Sequence, residues 1–443
     1  MNFIPHNQED IQSMLSVIGL KSIDDLFKDI PKDLILNKNL DLPDGMDELE
    51  LTNEFKNISD KNITGPVFTG AGAYNHFVPA LVDYIISRGE FLTAYTPYQP
   101  EISQGTLRAV YDYQSMICEL TGMDVANASM YDGASSTAEA MILACNVKKN
   151  KKVLVSKALN PNYIKVLNTY ANANNIEISF IELENLKTDL TGLEAKLNEI
   201  KPSAVIIQNP NFFGEIEDYE KVSAIIKNSD ALFISVVVEA LSLALLKPAG
   251  EYDADIVAGE AQSFGNRLNF GGPYLGLFAA DKNYMRKMPG RLVGKTTDAD
   301  GNPAYVLTLS TREQHIRREK ATSNICSNHN LCAIAACVYL TLLGPNLTKL
   351  AQINYEKANY TADEINKIPG FDLINQGPFF NEFVIKCKSA EKLKNALAEN
   401  GITGAYDLSR DFENMQNHLL FCVTEMNSDN EIQTLLNILS GLG

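Results

Sequence analysis

The chain has 443 residues, of which 45% are apolar and 21% are charged, a balance typical of globular proteins. This composition excludes disordered, collagen-like and repeat-biased proteins. The 38 Lys and Arg residues against 55 Asp and Glu residues give a formal net charge of -17. Such an acidic surface repels phosphate backbones, so we expect no binding to nucleic acid.

Residues 1–64 are predicted to form an N-terminal arm that packs on something else. They carry 13 acidic residues against 6 lysines. The apolar spacing predicts two short amphipathic helices within residues 7–30, and residues 31–64 are rich in Asp, Pro and Asn. No basic segment followed by an apolar run begins the chain, and the apolar stretch 231–246 is too short to span a membrane. We therefore expect no membrane segment.

The cysteines and histidines indicate thiols in a reducing compartment. The seven Cys residues form no C-x-x-C pair, and the five His residues lack metal-ligand spacing. An odd number of Cys residues in mostly apolar surroundings favours buried thiols over disulfides or zinc. The sequence therefore predicts a cytoplasmic protein without a metal site.

Residues 65–327 are predicted to form a large α/β domain with a mainly parallel sheet. A helix over 104–122 precedes strands that alternate with helices, a pattern typical of crossover units. The predicted strands are 153–155, 176–181, 204–207, 232–238, 255–257 and 274–279. A hairpin follows over 291–310, with turn residues at 298–301.

Residues 328–443 are predicted to form a small α+β C-terminal domain. Two helices come first, at 328–343 and 347–366. Strands and helices then alternate, at 383–387, 390–399, 418–423 and 429–439.

An aromatic loop over 91–105 is the first candidate for chemistry. It contains Tyr95, Tyr98 and two prolines just before a helix. Stiff aromatic loops of this kind often wall a pocket, although a well-packed turn has the same composition.

Two further candidates lie where a parallel sheet binds ligands. Ser135, Ser136 and Thr137 follow a small-residue loop at a helix start, which binds an anion or is an ordinary N-cap. Glu239 follows an apolar strand, at the position where an acid contacts the ring nitrogen in pyridoxal-phosphate enzymes. Alternatively, its carboxylate simply reaches solvent.

The segment after the strand 255–257 lacks the residue that such chemistry needs. Pyridoxal-phosphate enzymes of this layout place a lysine after a short strand, but here Gln262 and Ser263 occupy the equivalent positions. No Lys lies between Lys247 and Lys282. This chain cannot hold the cofactor covalently in the usual way.

Two basic stretches complete the candidates. Residues 311–326 carry a net charge of +2 and hold His315, Arg317 and Arg318, which suit carboxylates or phosphates unless they form a salt-bridged helix face. The other stretch has no acid from 283 to 295 and predicts a partner surface, an anion site or a solvated loop; it contains Lys282, Arg286, Lys287, Arg291 and Lys295.

Three blocks, 95–106, 117–133 and 312–326, resemble the glycine cleavage system P-protein family, and specifically subunit 1 of its two-subunit form. The segments 4–6 and 289–295 also match, so the resemblance covers nearly the whole chain. The departures are Glu239 where Asp is usual, Ser135 and Ser136 in place of a more apolar pair, and Asn75 where Asp is common.

The resemblance implies the aspartate-aminotransferase-like fold of fold type I pyridoxal-phosphate-dependent transferases. It implies an α2β2 heterotetramer in which subunit 2 carries pyridoxal phosphate and this chain carries none covalently. The complex decarboxylates glycine and passes the aminomethyl group to the lipoyl arm of the H-protein, an oxidoreductase activity that this chain alone lacks.

Within that scheme, the sequence predicts two groups of site residues and no catalytic residue in this chain. A vestigial cofactor site is predicted at Ser135, Ser136, Thr137 and Glu239. Residues that line or border the partner's pocket are predicted to be Tyr95, Tyr98, Glu101, His315, Arg317, Arg318 and Thr322.

Two other functions remain possible at this stage. A free-standing pyridoxal-phosphate decarboxylase or aminotransferase would need an amine that Lys247 and Lys295 supply poorly from their positions. A purely structural or regulatory pseudoenzyme is the other possibility, against which the loop-rich aromatic and basic blocks argue mildly.

Overall fold

The computed structural model describes residues 5–36, 38–62, 64–325 and 327–442. The chain divides into two units, residues 1–62 and 63–443. The predicted boundary between a large and a small domain, at 327/328, lies inside the second unit and stays a prediction. Ile4 and Cys326 of the resembling blocks lie outside the described residues.

The described residues of the first unit include two α-helices, α1 (Gln8–Val17) and α2 (Glu48–Ser59), and two short 3-10 turns, Ile23–Phe27 and Lys32–Leu34. Both helices begin with a capping box, in which Asn7 pairs with Asp10 and Asp47 with Glu50. The second helix predicted within 7–30 is therefore only a 3-10 turn. Helix α2 lies where the sequence analysis predicts none, because its reciprocal cap compensates for the scarcity of apolar residues.

The second unit begins with helices and strands that alternate up to residue 325. Its helices here are α3 (Ala80–Ile86), α4 (Gly89–Leu92), α5 (Gln104–Thr121), α6 (Gly133–Lys148), α7 (Pro161–Asn174), α8 (Leu190–Ile200), α9 (Tyr219–Ile226) and α10 (Gln314–Arg317). Its strands here are β1 (Val125–Ala126), β2 (Lys152–Ser156), β3 (Glu177–Ile181), β4 (Leu183–Glu184), β5 (Lys187–Thr188), β6 (Ala204–Gln208), β7 (Leu232–Val237), β8 (Ile256–Glu260), β9 (Gly276–Ala280), β10 (Leu292–Thr297) and β11 (Pro303–Thr308).

Among the described residues, seven strands form one sheet in the order β1-β9-β8-β7-β6-β2-β3. The pairs from β8 through β3 run parallel, whereas β9 is antiparallel to both β8 and β1. The sheet is therefore mainly parallel, as predicted. The predicted hairpin is also present, with β10 paired antiparallel to β11.

The central strands are buried on both faces, which explains their continuous apolar runs. Alternate side chains enter two different cores. Val205 and Phe233 pack in one cluster, and Ile206 and Ile234 pack in the other. This packing fixes the carboxyl ends of β7 and β8, where the candidate residues lie.

The remaining part of the second unit combines helices with a four-stranded antiparallel sheet of order β12-β13-β15-β14. Its elements are α11 (Asn330–Leu343), α12 (Leu347–Asn366), β12 (Phe371–Leu373), β13 (Glu382–Cys387), α13 (Ala390–Glu399), β14 (Tyr406–Asp407), β15 (His418–Cys422) and α14 (Asp429–Ser440). These bounds agree closely with the predicted ones.

One described stretch, Asn330–Asn366, is apolar and long enough to cross a membrane by length and composition alone. It consists of α11 and α12, and Ala333, Ala336 and Tyr339 are fully buried. Core helices of globular proteins meet the same criteria, so this is weak evidence for a span. The apolar stretch 231–246 noted in the sequence contains the buried strand β7.

Candidate functional site

Gln262 lies just after β8, where a cofactor-binding lysine is expected, and the backbone uses its side chain completely. Its Oε1 accepts the N–H of Tyr74 at 2.9 Å, and its Nε2 donates to the carbonyls of Tyr74 at 3.1 Å and Asn266 at 2.6 Å. The neighbouring Ser263 is buried, and its hydroxyl makes no hydrogen bond within the described residues. Gln262 thus fastens the chain at Tyr74 to the end of β8.

Glu239, after β7, pairs with a histidine of this same chain. Its Oε2 lies 3.1 Å from Nε2 of His76, whose Nδ1 lies 2.9 Å from a carboxylate oxygen of Glu425. Burial by itself lowers the pKa of His76, but the two carboxylates outweigh it and raise this pKa to about 10. At neutral pH a buried imidazolium therefore bridges Glu239 and Glu425.

The start of α6 is likewise filled from within. Asp132 caps the helix by accepting the N–H of Ser135 at 2.8 Å, and Glu260 accepts the N–H of Gly133 at 3.0 Å. Burial raises the pKa of Glu260 to about 7, against the effect of its backbone hydrogen bonds. The hydroxyls at the start of α6 donate hydrogen bonds to backbone carbonyls: Ser135 to Asp132, Ser136 to Leu277 and Thr137 to Gly133.

A further buried acid completes this region. Glu382 on β13 accepts the N–H of Ala71 at 2.6 Å and the hydroxyl of Tyr74 at 2.9 Å. Gly70 permits this approach, because an added Cβ would lie 2.6 Å from Oε1 of Glu382. We name the cluster of Tyr74, His76, Glu239, Gln262, Glu382 and Glu425 the filled site.

The residues present do not fit pyridoxal phosphate. The amine is missing, an imidazolium already pairs with Glu239, and carboxylates rather than a phosphate occupy the helix start. A phosphate dianion there would face the carboxylates of Asp132 and Glu260, which already accept the N–H groups of Ser135 and Gly133. The side chains of Ser135, Ser136, Thr137 and Glu239, predicted as a vestigial cofactor site, are each bonded to groups of their own chain.

The second group of predicted residues lies on two loop segments, the second of which contains the one-turn helix α10; six of the side chains are exposed and that of Thr322 is half-buried. We name Tyr95, Tyr98, Glu101, His315, Arg317, Arg318 and Thr322 the rim. Tyr95 is 81% exposed and Tyr98 is 47% exposed. Within the described residues neither Arg317 nor Arg318 has an ion-pair partner. Arg318 adopts φ +53°, a left-handed backbone that non-glycine residues rarely take.

The structure brings Tyr98 and His315 together, with ring centres 5.6 Å apart in an edge-on arrangement. Arg291 joins the two loops beneath them. It donates to the hydroxyls of Thr96 at 3.1 Å and Tyr98 at 2.9 Å, and its Nε lies 3.4 Å from Oε2 of Glu313.

Two cavities adjoin the rim. One, of about 560 Å³, is lined by Tyr95 and Tyr98 together with Thr96, Gln99 and Ile102. The other, of about 970 Å³, is lined by His315, Arg318 and Thr322 and by Glu139 of α6. Burial raises the pKa of Glu139 to about 7. Arg317 and Glu101 are exposed and line neither cavity.

The sequence analysis missed the residues that connect these features. Arg291, grouped with a basic stretch that could face a partner, is buried, whereas Lys282, Arg286, Lys287 and Lys295 are exposed. The feature of the sequence that could have identified Arg291 as buried is its position directly before the apolar residues that begin β10. His76 and Glu260 had no signal, because their partners are distant in sequence.

The alternative of a salt-bridged helix face for residues 311–326 would pair Glu313 with Arg317, and the described residues form no such pair. Instead Glu313 pairs with Arg291 and approaches His315 Nδ1 at 3.5 Å. The six cysteines of the described residues are unpaired. No group of three or more His, Cys, Asp or Glu residues in the described ranges could hold a metal ion.

Comparison with known proteins gives one consistent answer. Residues 1–439 match the family described as "Glycine cleavage system P-protein". A relative from Desulfitobacterium hafniense, called probable glycine dehydrogenase (decarboxylating) subunit 1, is 48% identical and covers 100% of this chain and 99% of its own.

Solved structures agree. A glycine decarboxylase (P-protein) of the glycine cleavage system, crystallised with an inhibitor, superimposes with a TM-score of 0.90 at 40% identity over 100% of both chains. A sphingosine-1-phosphate lyase from Burkholderia pseudomallei shares the fold alone, with a TM-score of 0.66 at 13% identity over 93% of this chain and 94% of its own. The architecture is that of fold type I pyridoxal-phosphate enzymes, and the chain belongs to the glycine cleavage system P-protein family.

Proposed function

We propose that this chain works as subunit 1 of a glycine-decarboxylating P-protein, an oxidoreductase of the glycine cleavage system. Together with subunit 2 it decarboxylates glycine and transfers the aminomethyl group to the lipoyl arm of the H-protein. In this proposal subunit 2 holds the pyridoxal phosphate, the assembly is an α2β2 heterotetramer in the cytoplasm, and neither nucleic acid nor a membrane is a partner.

The filled site is the observation that supports assigning the cofactor to subunit 2. Gln262 replaces the amine and His76 occupies the carboxylate of Glu239, so this chain supports no cofactor chemistry of its own. The close structural match to a P-protein supports a role for this chain in a site that the partner subunit holds. A free-standing enzyme would need a lysine that the sequence lacks between Lys247 and Lys282.

The rim is the part of this chain that we assign to the partner's pocket. Pyridoxal phosphate, when bound by subunit 2, stabilises the carbanion left by departing CO2. The rim arginines and His315 can orient a carboxylate, and the tyrosines can exclude water from it. Tyr95 and Arg318 support this role best, because both line cavities and both are free of internal ion pairs in the described chain.

The test uses the purified chain and its partner. The chain alone, mixed with pyridoxal phosphate and reduced with borohydride, should give no stoichiometric adduct at a single lysine and no stable absorption band. Glycine–CO2 exchange should appear only when subunit 2 is added. A stoichiometric adduct at one lysine of this chain alone, or exchange without subunit 2, would overturn the proposal.

A further inference from the structure

We propose that Arg291, held by Glu313, is a positioning residue for the glycine reaction. It fixes Tyr98 against His315, so that two loops distant in sequence form one surface toward the partner's active site. The inference rests on the proposed function and adds a residue that does not itself lie on the rim.

Arg291 binds the aromatic loop through the side chains of that loop. Its guanidinium donates to the hydroxyls of Thr96 and Tyr98 at 3.1 and 2.9 Å, and its central carbon lies 5.2 Å from the centre of the Tyr98 ring. A planar guanidinium holds several acceptors in a fixed geometry, which a flexible lysine does not. Three contacts to two residues therefore set both the place and the tilt of Tyr98.

Glu313 holds Arg291 from the other loop. Its Oε2 lies 3.4 Å from Nε of Arg291 and 3.5 Å from Nδ1 of His315. Arg291 is 2% exposed and Glu313 is 6% exposed. The carboxylate therefore neutralises a buried guanidinium and links it to the residue that meets the Tyr98 ring.

This ion pair is not built for stability. A buried pair stabilises a fold only when its remaining donors and acceptors are well hydrogen-bonded. Within the described residues, both oxygens of Glu313 and Nε of Arg291 lack a hydrogen bond. The well-formed bonds of Arg291 are those to Thr96 and Tyr98, so its geometry serves the placement of the loop.

Arg312, a second buried arginine nearby, shows the contrast. It donates to the backbone carbonyls of Leu309, Met288 and Gly290. Those bonds join the Arg312 side chain to main-chain carbonyls, which is a structural task. Of these two arginines, Arg291 is the one that hydrogen-bonds to side chains of the aromatic loop.

The experiment measures glycine–CO2 exchange in the complex reconstituted with subunit 2 and lipoylated H-protein. Arg291→Lys keeps the positive charge opposite Glu313 but loses the two guanidinium nitrogens that bind Thr96 and Tyr98. The value of kcat/KM for glycine should therefore fall by about 10- to 100-fold, as expected when a reacting geometry shifts by about 1 Å. The thermal unfolding midpoint and the absorption of the partner's bound cofactor should stay unchanged. Lys148→Gln, which removes an exposed pair with Asp230, is the matched control and should leave exchange unchanged.

A mutant cycle separates positioning from a structural role. Tyr98→Phe removes the Tyr98 hydroxyl, one of the two that accept from Arg291, so it should cause little further loss in the Arg291→Lys background. Normal kcat/KM for Arg291→Lys, or fully additive losses, would overturn the inference. If Tyr95→Ala and Arg318→Ala leave exchange normal, the assignment of the rim to the partner's pocket fails instead.

Discussion

The filled site and the rim satisfy their polar groups in opposite ways. In the filled site, Gln262, Glu239 and Glu382 each bond to groups of the same chain and lie in the interior. In the rim, Tyr95 is exposed, and Arg317 and Arg318 lack ion pairs among the described residues. A group whose partners are internal contributes to folding, whereas a group left without one is free to bind something else.

Under the proposed function, this difference accounts for a subunit that holds no cofactor of its own and still contributes to the partner's pocket. Without the lysine, the pocket has no cofactor to bind. Buried carboxylates without partners in such a pocket would destabilise the chain. His76 and Gln262 remove that cost by supplying a cation and an amide to the same places. The rim has no such internal substitutes, so we expect changes there to affect activity rather than stability.

The largest predicted effect on stability is that of His76→Gln. The change removes the cation between Glu239 and Glu425 and leaves two buried carboxylates without a counter-charge, so the free energy of unfolding should fall by about 3–5 kcal/mol. Urea unfolding measures this loss. His418→Gln, which replaces an imidazole that hydrogen-bonds to the carbonyl of Gln416 near the surface, is the control and should change stability by less than about 0.5 kcal/mol.

The same histidine makes the effect depend on pH. Its pKa is raised from the usual 6.5 to about 10, so its stabilising contribution is fully present below pH 6.5 and is lost as the pH rises through 10. The stability difference between the natural chain and His76→Gln should therefore shrink steadily from about pH 7 to about pH 10. A difference that is constant over this range would show that the imidazole is not the cation in the filled site.

Gly133→Ala should have the next largest effect. An added Cβ would lie 1.9 Å from the hydroxyl oxygen of Tyr163 and 2.8 Å from the backbone nitrogen of Glu260, so overpacking should destabilise the chain by about 1–3 kcal/mol. Gly105→Ala on α5 is the matched control, since its Cβ meets nothing within 4 Å and should be neutral or slightly stabilising. Equal unfolding midpoints for the two variants would contradict the close packing at the start of α6.

Much of this architecture could be predicted from the sequence, but its key contacts could not. Most strands and helices from 152 to 440 follow from local apolar patterns, but the short elements β4, β5, α10, β12 and β14 do not, and the absence of the lysine follows from Gln262 and Ser263 alone. The sequence could not predict that His76 pairs with Glu239, because the two residues are 163 positions apart. It also misplaced Arg291, since local charge does not reveal that a distant loop supplies Thr96, Tyr98 and a buried carboxylate.

Arg318→Gly should have the smallest effect on stability and a clear effect on activity. Glycine adopts the φ of +53° at this position without strain, which offsets the larger entropy of its unfolded chain, so the free energy of unfolding should change by less than about 1 kcal/mol. Arg318→Ala keeps the strained backbone and is the matched comparison. Both variants lose the guanidinium at the cavity that His315 and Thr322 line, so glycine–CO2 exchange in the reconstituted complex should fall equally in both. Full exchange activity in the stable Arg318→Gly variant would show that this guanidinium has no part in the partner's pocket. A loss of exchange in both variants with unchanged unfolding would confirm that this rim residue serves activity rather than the fold.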